Sequence, residues 1–184
     1  SLFMITDNFE GLKKHVPDAS HDILYKWFDQ RPFVLKITKK RASKFGDFRA
    51  PIKKSAPSII SVNGNLNPYA FLITLTHEFA HHLIWLKHRS SVKAHGQEWK
   101  DEFSKLMGVL LKKNIFPKEI ALALNQHMKN PAASSARDQN LVSALRKFDA
   151  PNELIQVSEL EMGTRFRLNG KRTFITVSYT HLRA

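Results

Sequence analysis

The sequence predicts an α+β fold. Apolar residues recur at helical spacing in several long stretches, short β-branched runs lie between and after them, and Asn-Gly pairs close two of those runs. The 184 residues suffice for one domain with its own core and a small appendage.

The first element is "PDASHDILYKWFD", a helix with Asp18 or Ser20 placed to cap it. Ile23, Leu24, Trp27 and Phe28 form its apolar stripe, and Arg31-Pro32 ends it. "FVLKITKKR" reads as a strand, Gly46 and Asp47 as a turn or bulge before a second extended piece, and "SIISVN" as a third strand closed by Asn63-Gly64. Asn67 is a good N-cap and Pro68 suits a first helical position. From Tyr69 to about Leu86 the helix they open is apolar on more than one side, the mark of a buried helix. After the polar connection "KHRSSVKAHG", an amphipathic helix carries Trp99, Phe103, Leu106, Met107 and Leu110 on one face, with Asn114 at its end. Pro117 starts another helix, to about Lys129. "NPAASSARDQN" reads as a linker, "LVSALRKF" as a short helix, and the residues after Pro151 as β-rich, with a hairpin turn at Asn169-Gly170. The expected division is 1–130, a main domain; 131–151, linker and short helix; and 152–184, a truncated β-rich appendage whose end, "VSYTHLRA", reads as a foreign scar.

Composition narrows the chemistry. No apolar run reaches the length of a membrane span. The absence of cysteine excludes disulfides and thiolate zinc ribbons, so a metal must be held by histidine and carboxylate, and it suits a cytoplasmic setting. A net charge of +13 points to a polyanion partner. It is concentrated in Lys36, Lys39, Lys40, Arg41, Lys44, Arg49, Lys53 and Lys54, which face a single acid, Asp47, in that stretch. These are the expected contacts to a DNA backbone, in a nucleoid-associated setting.

The chemistry-bearing motif is His77-Glu78-x-x-His81. Histidines four apart share one face of a helix, so both imidazoles can reach one ion. Glu78 lies one step round the helix, where it can reach water beside the ion and act as general base. A catalytic zinc usually has three protein ligands, so a third is required. The choices are His82, His88, His95, Glu98 and Glu102. His82 points about 100° away from His81 on the helix and is expected to be partly exposed or hydrogen-bonded elsewhere. His88 sits two turns further up. His95 follows a loop, precedes Gly96 and opens the next helix, from which it can approach from outside; Glu98 and Glu102 follow on that second helix.

"HEFAHH…HGQEWK" resembles the SprT-like family of zinc metalloproteases, which includes the Spartan proteases. "KRASKFGDFR" and "ISVNGNLNPYAFLITLTHE" resemble the family's strand and the lead into its helix, so the likeness runs from about Pro32 to Met107. It implies a small zincin-like domain, a short sheet packed on a buried motif helix. It also implies one zinc on His77, His81 and His95, Glu78 as catalytic base, and endopeptidase activity on DNA-associated proteins. The chain departs from many family members in having no cysteine-rich C-terminal zinc ribbon. The oxyanion-stabilising group is expected among His88, Arg89 and Tyr69, and a substrate strand is expected to add to "SIISV". The alternative is a DNA-binding or stress-response protein whose zinc site is structural or idle.

Overall fold

The computed structural model describes residues 9–41, 44–53, 56–129, 138–150, 161–168 and 172–177. It forms two compact units, Ser1–Asp149 and Ala150–Ala184. Both helices and strands are present, as the α+β expectation requires. Among the described residues no helix is long and apolar enough to cross a membrane.

The first unit begins with helical residues 9–13 (α1) and a 3-10 turn at Asp18–Ser20, which leads into α2, His21–Gln30. Ile23, Leu24 and Phe28 are buried, and Trp27 stacks on Phe79 with ring centroids 5.0 Å apart. Ser20 holds the N-cap position, but its hydroxyl donates back to the Pro17 carbonyl at 2.6 Å and makes no capping bond.

Three strands follow: β1 (Val34–Thr38), β2 (Gly46–Arg49) and β3 (Ile59–Asn63). Their order is β1-β3-β2, with β1 parallel and β2 antiparallel to β3. Chain order and sheet order differ because β3, whose Ile60 and Val62 are wholly buried, takes the centre. This corrects one expectation. β3 is hydrogen-bonded on both sides, so "SIISV" has no edge to offer a substrate strand. Among the described residues, the open edge next to the long helix belongs to β2, since β2 and β3 both pack on that helix.

The long helix, α3, runs Pro68–His88. Asn67 caps it: its side-chain oxygen accepts from the backbone N–H groups of Tyr69 at 3.1 Å and Ala70 at 2.9 Å. Twelve of its residues are buried, Phe71 to Thr76, Glu78 to Ala80 and His82 to Ile84, as its all-round apolar pattern requires. Helix α4 (Gln97–Lys112) packs on it through Trp99, Phe103, Leu106, Met107 and Leu110. Lys87 and Glu102 form an ion pair between the two helices at 2.5 Å. Asn114 adopts φ 52° just past the end of α4, the left-handed conformation that asparagine tolerates at a helix C-terminus.

Helices α5 (Lys118–His127) and α6 (Gln139–Arg146) pack on each other. The sequence reading ends the main domain at 130, whereas the compact unit runs to Asp149. The reason is local. Asp138 caps α6 and also binds His127 Nδ1 at 2.9 Å, while Leu141 and Leu145 are buried in the core. The Asn67 amide donates to the Leu145 carbonyl at 2.9 Å and to Asp149 Oδ1 at 2.6 Å, tying the start of α3 to the end of α6.

The second unit contains the hairpin β4 (Arg165–Leu168) and β5 (Arg172–Ile175), antiparallel with Phe166 opposite Phe174. The expected turn at Asn169-Gly170, the strand "LIQVSEL" and all of "VSYTHLRA" beyond Val177 lie outside the described residues.

Candidate metal centre

His77 and His81 stand one turn apart on α3, so their rings leave the helix on one face. His95 comes from the loop between α3 and α4. Its backbone is left-handed, φ 61°, an uncommon conformation for a residue with a side chain and one that concentrates at functional sites. The three side chains converge. His95 Nε2 lies 3.1 Å from His77 Nε2 and 2.9 Å from His81 Nε2, and one nitrogen from each ring falls within 4.8 Å of the others.

These nitrogens cannot all satisfy one another. A neutral imidazole nitrogen either donates one proton or accepts one, and His95 Nε2 has two nitrogen neighbours. One cation facing three lone pairs satisfies all three. The separations also suit such an ion: nitrogens at ~2.05 Å from a tetrahedral metal stand ~3.3 Å apart. The half-buried group His77, His81 and His95 could therefore hold a metal ion. Glu102 is engaged by Lys87, and the exposed Glu98 is not part of the group.

Beneath the trio lies Trp99, fully buried. Its ring sits 4.6 Å from His77, 5.3 Å from His81 in a stacked arrangement, and 4.7 Å from His95, and it is backed by Phe103 at 5.0 Å. A rigid aromatic plate touching all three rings limits the rotamers each can adopt. The sequence marks Trp99 only as part of an apolar face; its place under the site comes from the crossing of α3 and α4.

Glu78 occupies the neighbouring face of α3 and is 8% exposed. Burial pushes its pKa up to about 8, helped by the charge of Asp47 and opposed by Lys44, Arg41 and the Phe48 backbone. Asp47 stays below the ordinary carboxylate range: burial works against this, but the ammonium of Lys44 and the guanidinium of Arg49 outweigh it. Burial drives the histidines the other way. His77 falls to about 3, with His81, His95 and His127 adding repulsion, and His81 falls to about 4, with His95 adding. His95 is also lowered by burial. Near neutral pH these rings are neutral and present lone pairs, the form a metal requires.

The remaining histidines of the stretch are not part of the trio. Of the two expectations for His82, partial exposure or a hydrogen bond, exposure is not met. The residue is 2% exposed, set among the rings of Phe33, Phe48 and Phe79, and burial lowers its pKa to about 4. The cause is the helix itself, whose 100° step turns His82 towards the sheet. His88 ends α3, about 10 Å along the axis from His81. Tyr69 packs on Phe148 and Phe116 at the start of the helix, about 12 Å along the axis from His77, and Arg89 lies over the Trp85 ring at 4.0 Å.

The basic residues divide into two sets. Arg41 spans the outer face of the sheet, donating to Asn63 Oδ1 at 2.8 Å and Ser61 Oγ at 3.0 Å, which makes it a structural staple. Lys44 and Arg49 pair with Asp47. Lys36, Lys39, Lys40 and Lys53 are exposed with no ion pair among the described residues, and Lys54 lies outside them.

These shifts give the metal-free protein a particular pH dependence. Unfolded histidine takes up a proton near 6.5, but His77, His81 and His82 do so in the folded chain only near 3 to 4. Their contribution to stability is complete above pH 6.5 and is lost as pH falls towards 4. Glu78 acts oppositely. The folded carboxyl keeps its proton up to about 8 and the unfolded one only to 4.5, so its contribution is present below 4.5 and is lost as pH rises to 8. In chelator, thermal melting should show highest stability near pH 6.5 and a decline on both sides. A melting temperature still climbing at pH 8 would contradict this.

Compared with family models, with curated proteins and with solved structures, the chain matches none of them.

Proposed function

We propose that this chain is a zinc-dependent metalloendopeptidase of SprT-like type, with a zincin-like arrangement of motif helix and sheet. The observation that carries the reading is the convergence of His77, His81 and His95 with Glu78 seated on the next face of the same helix. Three neutral imidazoles would hold the ion with fewer protein ligands than a closed structural site uses, as catalytic zinc sites do. A zinc ion held there would supply Lewis-acid polarisation and a water acidic enough to lose its proton near neutral pH.

The chain's own residues do the rest. Glu78, ionised once a cation sits beside it, takes that proton on a carboxylate oxygen and passes it to the nitrogen of the departing amine. Trp99 keeps the three rings in their orientation. The open edge of β2 offers backbone hydrogen bonds to an extended substrate, which lays the scissile bond beside α3. A structural or idle zinc site has no use for Glu78, whose buried carboxyl is costly unless it does work.

The test is cleavage by purified protein of a protein bound to DNA, its loss on chelation, and its return with zinc alone. Zinc-loaded protein that leaves the substrate intact would refute the reading.

DNA-associated substrates are favoured by the four exposed lysines Lys36, Lys39, Lys40 and Lys53. DNA affinity should fall steeply with salt, and replacing all four by alanine should flatten the slope of log affinity against log salt by about 0.7–0.9 per lost phosphate contact. Binding that is insensitive to salt, or unchanged in the fourfold variant, would remove DNA as the recruiting partner.

A further inference from the structure

Glycine inside a strand weakens it, so a glycine within β2, at Gly46, calls for a reason. Backbone freedom is not the reason, because Gly46 is not among the residues with positive φ. Space is. A Cβ at this position would stand 2.6 Å from Glu78 Oε1, 2.8 Å from Glu78 Cγ and 2.7 Å from Thr74 Cγ2.

None of these neighbours can give way easily. The Thr74 hydroxyl donates to the Ala70 carbonyl at 2.8 Å, and that bond fixes the rotamer that aims its methyl at β2. Glu78 is met at its Cγ as well as at its far end, so the whole side chain would have to move. The three nearest atoms all belong to Glu78 and Thr74, and none to an imidazole.

We infer that Gly46 is a positioning residue for Glu78: β2 forms the wall that seats the carboxylate, at a separation only glycine permits. This rests on the reading of Glu78 as the base. Adding one methyl here displaces the base and leaves the three nitrogens in place. β2 then has two duties, since its edge is the one open to an extended peptide beside α3 and its Gly46 sets where the acid stands.

The experiment compares Gly46→Ala with Gly108→Ala, a control at which a Cβ meets nothing within 4 Å. In Gly46→Ala, kcat should fall about 10- to 100-fold with KM and bound zinc unchanged, the usual result of misplacing a reacting group by about an ångström. The seat is also read without activity. Gly46→Ala should lower the melting temperature by about 2–12 °C, as overpacking does in a chain of this size. In a Glu78→Ala background that loss should shrink, because one of the two clashing side chains is gone. If Gly46→Ala does not fold, the same comparisons are made with Thr74→Ser added, which removes the methyl at 2.7 Å.

Wild-type kcat in zinc-loaded Gly46→Ala, or an equal melting loss in both backgrounds, would overturn the inference. If the wild type cleaves nothing while the melting losses still couple, the seat stands and the peptidase reading falls.

Discussion

Glu78→Gln is expected to keep bound zinc near one ion per chain and to lower cleavage by about 100- to 10,000-fold, the contribution a positioned general base makes. The substitution is close to isosteric, so the amide still fills the space between α3 and Gly46. It removes only the ability of a carboxylate oxygen to take a proton. The environment sharpens the contrast. Burial and Asp47 make the anion of Glu78 costly, so the folded chain holds the carboxyl there at the expense of stability at alkaline pH. The measurement is metal content and cleavage of a DNA-bound protein, side by side. Equal digestion by wild type and Glu78→Gln would end the peptidase reading and leave an idle zinc site as the better account.

His95→Ala is expected to abolish zinc loading. His95 Nε2 is the atom both other imidazoles approach, and without it the site keeps two nitrogens on one helix. For the wild type, zinc at about 100 times its dissociation constant adds about 2.7 kcal/mol of stability, which raises the melting temperature by roughly 5–10 °C in a chain of this size. His95→Ala should lose this rise, while His88→Ala should retain it. Full loading of His95→Ala would mean that Glu98 or another group completes the set.

The elements of this fold that the sequence makes legible are those with a local cause. Asn67-Pro68 announces the start of α3 because capping chemistry lies within three residues of the helix. The convergence of His77 and His81 follows from helical spacing alone, whereas the placement of His95 depends on a loop with a left-handed residue, which no period predicts. Only the family resemblance selects it from the sequence. The sheet was legible as three strands but not as an order, because β3 takes the centre for its burial and not for its place in the chain. The burial of His82 is not legible for a related reason: a polar residue type says nothing about a helix face that meets three phenylalanines. Gly46 did carry a signal. A glycine between "KF" and "DF" can mark close backbone approach as readily as the turn or bulge its sequence suggests.

The bond network at Asn67 bears on where the chain can be cut. A fragment ending at 130 would still contain His77, Glu78, His81 and His95, and by residue count would look sufficient. It would lack Leu145 and Asp149, the acceptors of a side-chain amide that is 7% exposed. Without them the amide exchanges two protein acceptors for water, and the start of the helix that carries the motif loses its tie to α6. The buried side chains of Leu141 and Leu145 would be lost as well. The smallest fragment that keeps the start of α3 tied down and covered ends at Asp149.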